Sequence, residues 1–260
     1  MEIHPLILTI FIPILMLGGM LVFLEIGFRV GRNRRSSRTA ETNDEIGGVV
    51  AAVLGLLGLV LAFTFGAAQE RLTVRRAQIV DEANAIGTAY VRLDLLAPED
   101  QEQLRPLFRD YLESRIEAFE RIYDRARWKS ALNRGARLQD QIWKRSVAAC
   151  RASPNPAASF LLLSALNEMI DVTTERDLAT TTHAPAPIIL LLVGLSFMGA
   201  LLAGDTLALK GRRYPLHMAL FALAIAATVY VVIDLEYPRV GFITLGHMDR
   251  AMIQLRDTMH

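Results

Sequence analysis

Two groups of polar residues in this 260-residue chain are spaced so that they could act together. Glu82, Asn84 and Arg92 follow one long apolar run, and Asn167, Glu168, Asp171 and Arg176 precede another. Both groups lie at matching depth from those runs, so their carboxylates and guanidiniums can pair. Such pairs most often hold packed helices in register; more rarely they tune a proton or an ion path. A structural polar network is the expectation. Nothing else in the chain has catalytic composition. There is no glycine-rich phosphate loop, no nucleophile motif and no pair of carboxylates over an evident cleft. The single cysteine, Cys150, and five scattered histidines offer no metal spacing. No cofactor or metal is therefore expected, and the chain does not read as an enzyme. A net charge of +1 gives no field that would favour nucleic acid.

The elements that must position these residues are apolar. Hydrophobic residues make up 52% of the chain although 21% is charged, because the two kinds are segregated. Uncharged runs cover Leu6–Leu24, Ile46–Ala68, Ala184–Gly204 and Tyr214–Ile233. Each is close to the roughly 20 residues needed to cross a hydrocarbon core. Peptide groups in lipid must bond within their own segment, so each run is expected to be a spanning helix. The first lacks a basic n-region and is too long for a cleavable signal, so it reads as an anchor, kinked at Pro13.

The second run has two faces. Gly48, Ala51, Gly55, Gly58, Ala62 and Gly66 form a small-residue stripe suited to close helix packing. Leu56, Leu59 and Phe63 lie on the adjoining face. Repeated around a symmetry axis, they could form an apolar constriction that gates by dewetting; otherwise they touch lipid or pack within one subunit.

The polar middle also reads as helix. Ile79, Ala83, Ile86, Tyr90 and Leu93 continue the second run at steps of four and three. They predict one long rod ending near Ala97-Pro98, with Ala83 and Gly87 allowing another backbone close. Further stripes run from Leu104 through Phe108, Tyr111, Leu112, Arg115 and Phe119 to Ile122 and Tyr123, and from Leu138 to Val147. Ser153-Pro154-Asn155-Pro156 punctuates the chain before a last stripe from Phe160 to Thr173 or Thr174, which breaks at Pro185 and Pro187. The fold class is thus all-α, a multipass membrane protein with four transmembrane helices and a helical extramembrane bundle between the second and third. The expected domains are 1–69, 70–183, 184–235 and a C-terminal tail, 236–260.

Arg29, Arg32, Arg34, Arg35 and Arg38 follow the first run, and Lys210, Arg212 and Arg213 join the third to the fourth. By the positive-inside bias, loops 29–45 and 210–213 are cytoplasmic in a bacterial inner membrane, and 70–183 lies on the far side. Asp205 is expected to pair with Lys210 or Arg212, and His217 reads as an interface residue.

Several segments together resemble a family. Leu61-Ala-Phe-Thr-Phe65 leads to Arg75-Arg76, then Asp81-Glu-Ala-Asn-Ala-Ile-Gly-Thr-Ala-Tyr90 and Arg92-Leu-Asp-Leu-Leu96. Later come Leu166-Asn-Glu-Met-Ile-Asp171, Arg176 and Asp234-Leu-Glu-Tyr-Pro-Arg-Val-Gly241. This pattern resembles the bestrophin-like bacterial membrane family, over roughly Ile46 to Leu255. Bestrophins proper are pentameric anion channels whose second helix lines an apolar neck and continues as a rod. The resemblance therefore implies a homo-oligomer in the lipid bilayer that passes anions, with Leu56, Leu59 and Phe63 as neck residues. It also implies that Arg71, Arg75 and Arg76 attract ions at the mouth, and that the large domain is cytoplasmic, opposite to the charge-based orientation. The aromatic motif that follows the second helix in true bestrophins is missing, and no acidic calcium clasp is present. A non-conducting scaffold or sensor, its bundle binding a partner or ligand, is the reading from another class.

Overall fold

The computed structural model describes residues 5–34, 40–120, 124–209, 214–238 and 249–259. Arg35, Arg38, Ile122, Tyr123, Lys210, Arg212 and Arg213 lie outside them, as does 239–248, so the expectations on those residues have no counterpart below. The described chain is helical throughout: α1 (Pro5–Arg34), α2 (Ala40–Val91), a 3-10 turn (Arg92–Leu95), α3 (Pro98–Glu120), α4 (Arg125–Ala152), α5 (Pro156–Thr181), α6 (Ala186–Leu209), α7 (Pro215–Glu236) and α8 (Asp249–Thr258).

Local chemistry sets the boundaries. Pro98 and Pro156 open their helices, where a missing N–H costs nothing. Asn155 caps α5 by accepting from the Ala157 and Ala158 amides at 3.1 and 3.3 Å. Asp124 caps α4 through the Arg127 amide at 3.1 Å. After Val91 the rod tightens into the 3-10 turn, and Leu96 is extended two residues before Pro98. Pro13 lies inside α1, and Pro106 inside α3.

Four stretches are long and apolar enough to cross a membrane: Pro13–Arg34, Ile46–Leu95, Pro156–Leu209 and Pro215–Glu236. The second and third include the polar residues that continue or precede the apolar run. The protein is an all-α multipass membrane protein with four spanning helices and an extramembrane helical bundle.

The chain divides into two compact units, Met1–Leu72 with His183–Thr244, and Thr73–Thr182 with Leu245–His260. In the first, α1 packs chiefly along α6 and more lightly on α7. Met16, Met20 and Leu24 descend one face of α1 at helical spacing and meet Leu192, Leu195 and Ala200 of α6 and Ala222, Val229 and Ile233 of α7. Phe23 stacks on Phe197, with ring centroids 5.0 Å apart. Glycines bring α1 and α6 into backbone contact. A Cβ on Gly27 would overlap the Leu201 carbonyl oxygen, and one on Gly204 would overlap that of Leu24.

In the second unit, Ala83, Ile86, Tyr90 and Leu93 of α2 are buried against Leu104, Phe108 and Leu112 of α3 and Leu162, Leu166 and Met169 of α5. Ile79 is buried as well. Met252 of α8 and Met259 just past its end close this core, and a Cβ on Gly87 would sit 3.0 Å from Leu255 Cδ1.

Candidate functional site

The polar candidates of α2 and α5 lie in the second unit, and among the described residues only Glu82 and Arg176 of the seven pair with each other. Glu82 is completely buried and pairs with Arg176 through Oε2. Arg115 of α3 donates from Nε to Glu82 Oε1 at 2.6 Å. It also forks onto Asp177, at 2.8 and 3.3 Å. Tyr111 Oη lies 2.9 Å from Thr173 Oγ1, which is 3.4 Å from Glu82 Oε1. The Arg176 guanidinium lies over the Phe119 ring at 3.5 Å, a cation–π contact that helps replace its lost water.

Two carboxylates and two guanidiniums leave this cluster formally neutral. Burial disfavours ionised Glu82, yet the charges and hydrogen bonds of Arg115 and Arg176 outweigh it and hold the carboxyl below its ordinary value. Burial works against the charged form of Arg115 too, and Glu82 reverses this, raising its pKa. Burial and the neighbouring Glu82 charge push the Tyr111 phenol up to about 12. The arrangement suits a register lock, with Glu82 held ionised and Arg115 held protonated by each other's charge.

Arg115, Tyr111, Thr173 and Asp177 were not among the network residues expected from sequence. A signal did exist. Arg115 sits on the apolar stripe of α3, and a buried arginine requires a carboxylate partner.

The remaining candidates separate. Asn84, Arg92 and Glu168 line a groove of about 480 Å³ between α2 and α5, together with Asp81, Thr88 and Glu175. Arg92 donates from Nη1 to the Leu161 carbonyl at 2.5 Å. Asn167 and Asp171 are exposed outside this lining.

In the first unit, the apolar face of α2 is open. Leu56, Leu59 and Phe63 are 48%, 52% and 69% exposed. Apart from the helix's own turns, no atom of the described residues lies within 4 Å of a Cβ built on Gly48, Gly55, Gly58 or Gly66, and Ala62 is exposed. Contact with α6 runs instead through Leu54 and Leu57, whose side chains reach Gly199.

The basic run after this span is engaged within the chain. Arg71 pairs with buried Glu236, which His183 Nδ1 approaches at 4.0 Å. Arg75 is buried and donates to the Ala179 and Thr182 carbonyls at 3.1 and 2.7 Å, capping the end of α5. Arg76 is half-buried. Asp205 is buried facing Gly31 of α1, where a Cβ would meet its Oδ1 at 2.8 Å. His217 is exposed, edge-on to Tyr214. Among the described residues, no group of three or more His, Cys, Asp or Glu side chains is placed to hold a metal ion.

Two solved structures share this fold. Both are variants of a bacterial bestrophin homologue from Klebsiella pneumoniae, one with an isoleucine changed to threonine and one with a tyrosine changed to alanine. The first is 15% identical, with a TM-score of 0.62 over 92% of this chain and 98% of the other. The second is 14% identical, with a TM-score of 0.64 over 94% and 99%. No curated protein matches the chain. The model of the bestrophin-like domain matches residues 14–246, most of the chain. The protein belongs to the bestrophin-like domain family.

Proposed function

We propose that the protein is a homo-oligomeric ion channel of the cell membrane, passing small anions, with the apolar part of α2 lining the pore. One observation carries this reading. In a chain whose other spans bury more of their surface, α2 leaves Leu56, Leu59 and Phe63 exposed and the adjoining glycine stripe without a neighbour among the described residues. Copies arranged around an axis would cover the glycine stripe with an adjacent helix and turn the three large side chains inward. A ring of them forms an apolar neck whose wetting controls conduction. Selection for anions rests on the family likeness, because Arg71 and Arg75 are committed to partners within the chain.

Purified protein in planar bilayers is expected to give currents that reverse near the chloride equilibrium potential. Phe63→Ala should raise the mean current several-fold by widening and wetting the neck. Electrical silence from well-folded oligomers, with Phe63→Ala no different, rules the channel out. A stoichiometric partner protein in the same preparation would point to the scaffold reading.

The orientation follows from the charge bias, with loops 29–45 and 210–213 cytoplasmic. Cysteine introduced by Asn133→Cys in a Cys150→Ala background is expected to react with an impermeant maleimide in spheroplasts. Protection until lysis places the bundle in the cytoplasm instead.

A further inference from the structure

We infer that the groove between α2 and α5 is a docking site for helix α4 of a second copy of this chain. This inference rests on the homo-oligomeric reading above and specifies a surface that reading leaves open. The groove is acidic. Asp81, Glu168 and Glu175 line it, and none makes an ion pair among the described residues. Its one cation, Arg92, is turned onto the Leu161 carbonyl. An apolar patch adjoins it, with Val91, Leu95, Phe160 and Leu161 all exposed and Phe160 74% so. A face meant only for water has no need of that patch beside its charges; a polar surface contiguous with apolar anchors is the composition of an interface.

Helix α4 is complementary. Its sequence holds eight lysines and arginines against Asp140 alone. Arg137, Lys144 and Arg151 are exposed and spaced by seven residues, so they lie along one side of the helix. Neither Arg137 nor Arg151 pairs with an acid among the described residues, and Lys144 holds only the exposed Asp140 one turn away. Glu168 and Glu175 are also seven apart. At about 1.5 Å per residue, both rows repeat at roughly 10 Å, so two basic residues can face two acids in one register. The two surfaces differ, hence the contact is head-to-tail, the kind that builds a ring where its rotation closes.

Because every copy carries both surfaces, reversing one breaks the contact and reversing both restores it. Full-length protein in detergent, diluted and weighed by mass photometry, reads the assembled fraction. Glu168→Lys with Glu175→Lys, or Arg137→Glu with Lys144→Glu, should raise the concentration at which assemblies half-dissociate by about tenfold at low salt. The four substitutions together should bring it back to within about threefold of wild type. If neither pair shifts the midpoint, or the combination is no better than either pair, the docking site is wrong while the assembled wild type keeps the homo-oligomer intact. A wild type that is monomeric at all concentrations removes both.

Discussion

Glu82→Gln is expected to destabilise the extramembrane bundle by about 3–5 kcal/mol, because it leaves buried positive charge without its counter-charge. Arg115 keeps Asp177, but its Nε and the Arg176 guanidinium lose the carboxylate between them. The melting temperature of detergent-purified protein should fall by of order 10 °C. Replacing Glu82, Arg115 and Arg176 together by methionine should cost far less, since apolar side chains need no counter-charge there and only the part-exposed Asp177 is left without its arginine. The acid profile gives a second readout. The folded-state pKa of Glu82 is depressed, so its stabilisation is complete above the unfolded value of about 4.3 and is lost as pH falls through the lower folded value. The wild type should therefore lose stability as pH falls between those two values, along a slope that Glu82→Gln lacks. A loss under about 1 kcal/mol, or an unchanged acid slope, shows that the cluster does not hold the bundle.

The sequence exposed the elements better than their partners. Long uncharged runs can sit only in lipid, and the stripe from Ile79 to Leu93 can be stable only if buried, so both were legible from spacing. Glu82 and Arg176 were also visible, because their types demand partners. That α3, itself legible with Arg115 on its stripe, comes back to join Glu82 and Arg176 was not, since nothing in a linear pattern says which helix returns to fill a gap. Helix α8 escaped for a related reason. It is short, and Met252 within it and Met259 just past its end show a stripe only once the core they close is known. The same limit separates Asn84, Arg92 and Glu168, which line the groove, from Asn167 and Asp171, which do not. All five are polar residues on helices, and rotation about the helix axis decides which way each points.

Glycine shows the limit most sharply. The stripe on α2 is the most regular small-residue pattern in the chain, yet a Cβ on Gly55, Gly58 or Gly66 meets nothing within 4 Å. The backbone contact lies elsewhere, where Gly27 and Gly31 of α1 face Gly204, Asp205 and Ala208 of α6. Small residues permit close approach, but their spacing cannot reveal whether the approaching helix belongs to the same chain. Within one chain, α1 and α6 use it. On the channel reading, α2 reserves its stripe for a neighbouring copy.

That distinction gives opposite signs for similar substitutions. Gly204→Val sets a Cβ onto the Leu24 carbonyl oxygen, and backbone cannot step aside without parting α1 from α6 along their length. The parted helices forfeit the packing around Leu24 and Ala200, a loss of about 3 kcal/mol or more, and the protein should fail to extract as a monodisperse species. Gly27→Val meets the Leu201 carbonyl in the same way and should fail alike. Gly58→Ala has open space within the chain and replaces the poorer helix former, so the isolated subunit should gain up to about 1 kcal/mol. If a second copy covers the stripe, the same methyl wedges two backbones apart, and the assembly weakens while the subunit holds. Melting temperature and assembled mass, read on one preparation of each variant, separate these effects. Normal extraction and melting of Gly204→Val would remove the α1–α6 contact as the organiser of the spanning unit. A Gly58→Ala protein that assembles as the wild type does would leave the stripe facing lipid, and α2 without a neighbour to form a pore.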